Sequence, residues 1–175
     1  MSERIEILIS GFGGQGVVKA GQITGKASVL QGLFTTMLVS HGTETRGGYV
    51  RTQVVLSDEE IDSPVLESPA IFCALSKAAY QRFFRSVDQG LIVYDPAYVQ
   101  PDLGSGIRHL ALPARDLAVS QLGGELFANM IVYGKLIALL DGKISKENAR
   151  QALRSVMTRK TEENLKAFEI GFAYR

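Results

Sequence analysis

The stretch ISGFGGQGVVKAG, from Ile9 to Gly21, sets the expected fold because it joins a strand-like run to a glycine turn and then to a helix. Before the turn, apolar residues alternate from Ile5 to Ile9, as in a short strand. Behind the turn, small and apolar side chains recur at three- and four-residue steps and indicate one helix face: Gly16, Ala20, Ile23, Ala27 and Leu30. After Gly32, the run LFTTMLVS indicates a second strand. This order predicts the β-turn-α-β opening of a parallel α/β sheet.

The rest of the chain extends the same architecture. YVRTQVVL (49–56) has the alternation of a half-buried strand, whereas AIFCAL (70–75) and LIVY (91–94) are the nearly continuous apolar runs of strands covered on both faces. The pattern becomes helical after Pro113, and an amphipathic helix is predicted from the spacing of Leu126, Met130, Tyr133, Ile137 and Leu140. Two further helices are predicted to begin at the N-caps Ser145 and Thr161.

No linker or repeat divides the sequence, so residues 1–175 are predicted to form a single α/β domain. We expect a mainly parallel sheet with helices on both faces, the first strand at its centre, and a helical C-terminal segment. The 19 basic and 18 acidic residues nearly cancel, which argues against binding to nucleic acid or to a membrane surface. We find neither a signal peptide nor an apolar run long enough to cross a bilayer, and expect a cytoplasmic protein.

The inventory of reactive side chains is small. Cys73 is the single cysteine, which excludes an internal disulfide and a self-contained iron–sulfur cluster, and its apolar neighbours predict a packed thiol. Neither His41 nor His109 has a partner at ligand or triad spacing, so no metal site and no catalytic residue is expected in this chain.

The glycine turn allows several interpretations. Gly11, Gly13 and Gly16 satisfy the G-x-G-x-x-G pattern, in which the helix start attracts an anion. A dinucleotide site also needs an acid at the end of the second strand, and Ser40 and His41 stand there; a P-loop would need a Gly-Lys-Ser/Thr ending. A plain tight strand–helix connection remains the simplest alternative.

Two residues of the turn are not explained by the packing of the helix on the strand. Gly14 is a fourth glycine, and Gln15 offers an amide that we expect to be exposed. These features predict that an anionic ligand or the backbone of a partner comes close to the turn.

A second cluster, TETRGG, follows the second strand. Arg46 stands beside Gly47 and Gly48. Because this loop and the glycine turn both follow parallel strands at their carboxyl ends, where such sheets bind ligands, we expect the two to lie near each other. The guanidinium fork suits a phosphate or a carboxylate, while the alternative is a solvated arginine in a flexible loop.

Taken together, these motifs resemble those of the gamma subunits of 2-oxoacid:ferredoxin (acceptor) oxidoreductases. The resemblance spans nearly the whole chain, through GFGGQGVVKAGQITGKA (11–27), SHGTETRGGYVRTQVVLSDEEIDSP (40–64), FANMIVYG (127–134) and NLKAFEIG (164–171). The combination of GxGGQG, RGG and a strand that ends in S-x-x-x-I-x-x-P is far more specific than the glycine pattern alone.

The resemblance implies a multi-subunit enzyme that oxidatively decarboxylates a 2-oxoacid with coenzyme A, giving an acyl-CoA, CO2 and reduced ferredoxin. Alpha and beta catalytic subunits are the implied partners, with a ferredoxin-like delta subunit as a further candidate. Thiamine diphosphate and the iron–sulfur clusters belong to those partners, and coenzyme A is a co-substrate of the complex. The chain itself is expected to be a structural subunit that lies on the coenzyme A side of the active site.

The 2-oxoglutarate type is the most similar, with the pyruvate, branched-chain and indolepyruvate types as alternatives. A free-standing Rossmann-like nucleotide-binding protein is the alternative from a different class. The expected contacts with coenzyme A or a partner chain are Gly11, Gly13, Gly14, Gln15, Gly16, Arg46, Gly47, Gly48 and Asn129.

Overall fold

The structure is a computed structural model that describes residues 3–42 and 48–175. Within these residues the strands are β1 (Arg4–Phe12), β2 (Phe34–His41), β3 (Tyr49–Ser57), β4 (Ile71–Ala74), β5 (Leu91–Tyr94) and β6 (Arg108–Ala111). The helices are α1 (Val17–Leu30), α2 (Lys77–Phe83), α3 (Ala114–Leu122), α4 (Ala128–Leu139), α5 (Lys146–Val156) and α6 (Thr161–Ala173). Short 3₁₀ turns cover Phe84–Ser86, Leu103–Ser105 and Glu125–Phe127.

The strands form one sheet in the order β2-β3-β1-β4-β5-β6. β1, β4, β5 and β6 are parallel neighbours, while β3 runs antiparallel to both β1 and β2, so β2 has the same direction as β1. Helices cover both faces: α1 and α3–α6 contribute to one apolar cluster, and α2 contributes to the other. The predicted α/β fold, with a mainly parallel sheet and a helical C-terminal segment, is confirmed.

The position of β3 differs from the simple β-α-β opening. β3 lies between β1 and β2, so the helix crossover skips one place in the sheet. Gln53 and Val55 lie on the opposite face of β3 from Thr52 and Val54, and all four are buried. The prediction of a half-buried strand over residues 49–56 is therefore wrong. The long loop after β3 folds back over the face of the sheet that carries Gln53, where the Leu66 N–H donates to Gln53 Oε1 at 3.4 Å.

A buried carboxylate holds that loop in place. Glu6 accepts hydrogen bonds from the backbone N–H groups of Glu67 (2.7 Å) and Ser68 (2.9 Å), and its other oxygen pairs with Arg4 Nε at 2.9 Å. Arg4 also donates to the carbonyls of Ser63 and Val65. The S-x-x-x-I-x-x-P segment that follows β3 is thus anchored at the amino end of β1, which is the end of the sheet opposite the glycine turn.

Helix α4 is buried on nearly all sides and is not the amphipathic helix that the spacing predicts. Leu126 lies outside it in a 3₁₀ turn and is 58% exposed. One reason for the burial is a very close packing of α4 against α6: a Cβ at Gly134 would overlap the Phe168 carbonyl, and one at Gly171 would overlap the Ile131 carbonyl. Two glycines thus allow the two backbones to touch.

The two predicted N-caps have different outcomes. Ser145 caps α5 by accepting from the Asn148 N–H at 3.1 Å, which confirms that prediction. Thr161 is instead the first residue of α6, and its hydroxyl donates to the Met157 carbonyl. Lys160 takes the cap position with a left-handed backbone (φ 51°).

Candidate functional site

A cleft of about 230 Å³ opens at the carboxyl edge of the sheet. The glycine turn after β1, Leu75 after β4 and Asp95 after β5 form one side, and the start of α4 forms the other. This is where ligands bind in open parallel sheets, because the loops that leave adjacent strands meet there. The lining residues are Gly14, Gln15, Gly16, Leu75, Asp95, Tyr98, Ala114, Glu125, Leu126, Ala128, Asn129 and Val132.

The turn itself depends on glycine at two positions. Gly14 (φ 90°) and Gly16 (φ 73°) both have left-handed backbones, which cost little for glycine and strain any other residue. Gly16 is also the N-cap of α1 and has no side chain to occupy the first N–H groups of that helix. The unsatisfied donors of the first turn are therefore available to a polar or anionic group.

Gln15 has a structural role that its sequence context did not predict. Its Oε1 accepts from the Phe12 N–H at 2.6 Å, and its Nε2 donates to the Leu75 carbonyl at 2.8 Å. The amide thereby joins the exits of β1 and β4 and is half-buried, so the expectation of an exposed amide is corrected. Gly11 makes this possible, since a Cβ there would overlap Gln15 Oε1.

Asn129 faces the turn from the first residues of α4. The residue is only 9% exposed, and a Cβ at Gly16 would overlap its Nδ2. Its Oδ1 is buried and has no hydrogen-bond partner among the described residues. An unpaired buried acceptor is costly for the folded chain and calls for an explanation. A donor supplied by a ligand would satisfy it.

Sequence reasoning missed the acidic side of the cleft. Asp95, only 4% exposed, follows β5 directly and accepts from the N–H groups of Ala97 (2.9 Å) and Arg115 (2.8 Å). Burial raises the pKa of Asp95 above its ordinary value. The sequence does carry a signal for Asp95, since an acidic residue directly after a buried parallel strand lies at the edge of the sheet where ligands bind.

Tyr98 and Glu125 complete this wall. The Tyr98 hydroxyl lies 3.5 Å from Glu125 Oε2, and Glu125 Oε1 accepts from Arg115 Nε at 2.8 Å. Partial burial, with the nearby Glu125 charge, raises the pKa of Tyr98. These contacts link the loop after β5 to the 3₁₀ turn that precedes α4.

The other predicted site residues lie around the cleft or outside the described part. Gly13 is exposed beside the cleft, and Gly48 lies next to the start of β3. Arg46 and Gly47 fall outside the described residues. The described residues nearest to them in the chain are Gly42, which follows His41, and Gly48, which precedes Tyr49. His41 and Tyr49 lie at the same end of the sheet as Phe12.

His109 is used within the fold. Its Nδ1 lies 2.8 Å from the Ile107 carbonyl and therefore donates to it, which leaves Nε2 to accept from the Tyr80 hydroxyl at 3.0 Å. Within residues 3–42 and 48–175, no three side chains of His, Cys, Asp or Glu come together as metal ligands. None of the helices described has the length and apolar character needed to span a membrane.

Cys73 should not react with alkylating reagents in the folded protein. The residue is fully buried in β4, and burial raises the pKa of its thiol to about 12, so the reactive thiolate is scarce at ordinary pH. We expect iodoacetamide to leave the native chain unmodified by intact-mass measurement and to add one group in guanidinium chloride. Rapid labelling of the native chain would contradict the buried position of β4.

The fold and the cleft define an α/β protein with a ligand-type cleft at the carboxyl edge of a mainly parallel sheet. Comparison with known proteins identifies its family. The model of the pyruvate ferredoxin/flavodoxin oxidoreductase family matches residues 6–174. The chain therefore belongs to this family, and the resemblance to the gamma subunits of 2-oxoacid oxidoreductases is confirmed.

Three relatives illustrate the similarity. The chain is 37% identical to 2-oxoglutarate synthase subunit KorC of Archaeoglobus fulgidus, over 98% of this chain and 88% of that protein. The gamma subunit of a keto/oxoacid ferredoxin oxidoreductase from Geobacter sulfurreducens superposes with a TM-score of 0.81 at 30% identity, covering 96% of each chain. A 2-oxoglutarate:ferredoxin oxidoreductase from Magnetococcus marinus, solved with 2-oxoglutarate, coenzyme A and succinyl-CoA bound, has the same fold (TM-score 0.86, 24% identity, 98% of this chain and 31% of that chain).

Proposed function

We propose that this chain is the gamma subunit of a complex that oxidatively decarboxylates 2-oxoglutarate with coenzyme A, giving succinyl-CoA, CO2 and reduced ferredoxin. The near full-length similarity to a 2-oxoglutarate synthase subunit supports this substrate over pyruvate, branched-chain and indolepyruvate alternatives. The structural observation that carries the proposal is the meeting of Gly14, Gly16 and the unpaired Asn129 Oδ1 in one cleft.

In the proposed role, the cleft contributes to the coenzyme A side of the assembled site. The left-handed turn keeps side chains away from the start of α1, so a ligand can approach the backbone closely. Asn129 Oδ1 is available to accept from an N–H or O–H group of that ligand or of a partner chain.

The redox chemistry is assigned to partner chains in the cytoplasm. Thiamine diphosphate and iron–sulfur clusters would be bound by alpha and beta subunits, and by a ferredoxin-like delta subunit where one is present. The buried Cys73 gives this chain no thiolate to contribute to a cluster. Ferredoxin is the proposed electron acceptor.

The test is reconstitution of the complex from co-expressed subunits. We expect this chain to co-purify with the catalytic subunits, to be inactive alone, and to support turnover of 2-oxoglutarate above pyruvate, 2-oxoisovalerate and indolepyruvate. Turnover of any 2-oxoacid by the isolated chain would contradict a subunit role. Tight binding of NADH to the isolated chain would favour a free-standing nucleotide-binding protein instead.

Arg46, with Gly47 and Gly48, is proposed to contact a coenzyme A phosphate or a partner carboxylate. Arg46→Lys keeps the charge and loses the fork, so we expect a clear impairment, and loss of a charge-assisted hydrogen bond costs about 1.5–3 kcal/mol. The measurement is KM for coenzyme A in the reconstituted complex together with its elution on a sizing column. A raised KM with normal assembly indicates a ligand contact, and a broken complex indicates an interface.

The matched control for Arg46 is Arg85→Lys, because Arg85 is exposed and follows α2, away from the glycine turn. This control should leave assembly and KM unchanged. If Arg46→Ala also leaves assembly, KM and kcat unchanged, Arg46 is only a solvated loop residue.

A further inference from the structure

The turn between α4 and α5 contains the only Asp-Gly pair of the sequence, Asp141-Gly142. Every other Asp, and every Asn, is followed by a residue that carries a side chain. The pair is chemically labile, because the backbone nitrogen of the second residue can attack the side-chain carbonyl of Asp. Glycine has no side chain to hinder that approach and leaves its backbone free to rotate.

The structure leaves both reacting groups accessible. Asp141 and Gly142 are exposed, just after the end of α4. The N–H groups of Asp141 and Lys143 donate to the carbonyls of Ala138 (3.3 Å) and Leu140 (3.0 Å), whereas the Gly142 N–H has no acceptor among the described residues. Within those residues the Asp141 carboxyl group has no hydrogen bond or ion pair either, so neither group has to leave a partner before it reacts.

The backbone of Asp141 is strained. Its φ of 46° is left-handed, like the φ of 82° at Gly142, but only glycine adopts this region at little cost. Ring closure requires rotation about the Asp141 backbone, and a residue in a disfavoured conformation loses little by leaving it. A single backbone hydrogen bond, from Lys143 to Leu140, spans the pair and opposes this rotation.

We propose that Asp141-Gly142 is a site of spontaneous isoaspartate formation in the folded chain. The Gly142 nitrogen bonds to Cγ of the protonated Asp141 carboxyl group and loses its proton, the Cγ–OH bond breaks, and water leaves a cyclic succinimide. Water then opens the ring. Cleavage between the nitrogen and Cγ restores Asp141, and cleavage between the nitrogen and the main-chain carbonyl carbon gives isoaspartate. Nothing is oxidised or reduced, and the mass is unchanged overall.

The product changes the connection between α4 and α5. An isoaspartyl link runs through Cβ and Cγ, so the backbone gains one atom at position 141. The next residues attach the turn to the rest of the fold: Lys143 pairs with Glu3 beside the start of β1, and Ile144 is buried in the larger apolar cluster. We therefore expect the modified chain to have a lower Tm than the unmodified chain.

The turn is remote from the cleft. Asn129, which lines the cleft, lies near the first residue of α4, whereas the Asp-Gly pair follows the end of this helix of 12 residues. At 1.5 Å per residue, the helix separates the two by about 18 Å. Modification should lower stability and leave KM for coenzyme A unchanged, and the inference does not depend on the proposed function.

The test is incubation of the full, folded chain for several weeks below its Tm. Peptide mapping with electron-transfer dissociation distinguishes isoaspartate from Asp at each position. The internal control is Asp62, whose side chain is 98% exposed and which is followed by Ser63. We expect isoaspartate at position 141 at a level several-fold above that at position 62, because the Ser63 side chain hinders the attacking nitrogen.

Two variants test the ring-closing step. Asp141→Asn keeps a residue that tolerates the left-handed region, and ammonia leaves in place of water, so this variant should react faster than the wild-type chain. Asp141→Glu keeps the charge but would need a larger ring, and should remain unmodified over the same period. Circular dichroism melts before incubation check that each variant is folded.

Three results would overturn the proposal: no isoaspartate at position 141, an equal level at Asp62, or reaction of the wild-type and Asn variants only in guanidinium chloride. The last result would mean that the folded turn blocks the attack. Turnover of 2-oxoglutarate by the reconstituted complex is measured separately and tests the proposed function alone.

Discussion

Gly171→Ala should lower the free energy of unfolding by about 3 kcal/mol, because overpacking of this kind forces backbones apart. A Cβ at Gly171 would overlap the Ile131 carbonyl oxygen and meet Ile131 Cα at 2.9 Å. Backbone atoms cannot rotate away as a flexible side chain can, so α4 and α6 would have to separate. Thermal denaturation followed by circular dichroism should show a decrease in Tm of roughly 6–12 °C for a chain of this size.

The matched control for this variant is Gly25→Ala. Gly25 also lies inside a helix, α1, but a Cβ there would make only an ordinary 3.6 Å contact with Thr35 Cγ2. Alanine is the better helix former, so this variant should be more stable by about 0.5–1 kcal/mol. If both alanines shift the Tm in the same direction, the close approach of α4 and α6 is not the cause.

Gly16→Ala should damage both the stability of the chain and the use of coenzyme A by the complex. The left-handed backbone at this position (φ 73°) costs alanine about 1–2 kcal/mol, and the new Cβ would also overlap Asn129 Nδ2. Displacement of Asn129 would remove the buried acceptor from the cleft. We expect KM for coenzyme A in the reconstituted complex to rise about tenfold, equivalent to about 1.4 kcal/mol.

Two further variants separate the strain from the clash. Gly14→Ala has the same type of backbone strain (φ 90°) with nothing within 4 Å of the new Cβ, so it should cost less stability than Gly16→Ala. Adding Asn129→Ala to Gly16→Ala removes the overlap with Nδ2 and Cγ and leaves only a tight 3.2 Å approach to the Cβ of residue 129. It should therefore bring the unfolding free energy close to that of Gly14→Ala.

The activity of these variants tests the proposed role of Asn129. The double variant should regain stability while its KM for coenzyme A stays high, because the acceptor itself is missing. Recovery of both stability and KM in the double variant would show that Asn129 only fills space.

The sequence alone determined the class of fold and most of its elements. Apolar runs such as those of β4 and β5 are local signals, since a strand covered on both faces needs apolar residues at every position. The glycine turn was likewise readable, because its left-handed positions tolerate few other residues. The motifs around it were specific enough to indicate the family.

Only the tertiary structure decided which groups meet at the site. Asn129 and Gly16 are far apart in the sequence, and their contact depends on how α4 packs against the start of α1. The insertion of β3 between β1 and β2 also could not be predicted from local sequence. The alternation of apolar and polar residues along a strand shows which face is buried but not which strands pair with it. The same holds for α4, whose spacing indicates one apolar face: its full burial depends on α6, which Gly134 and Gly171 allow to approach to backbone contact.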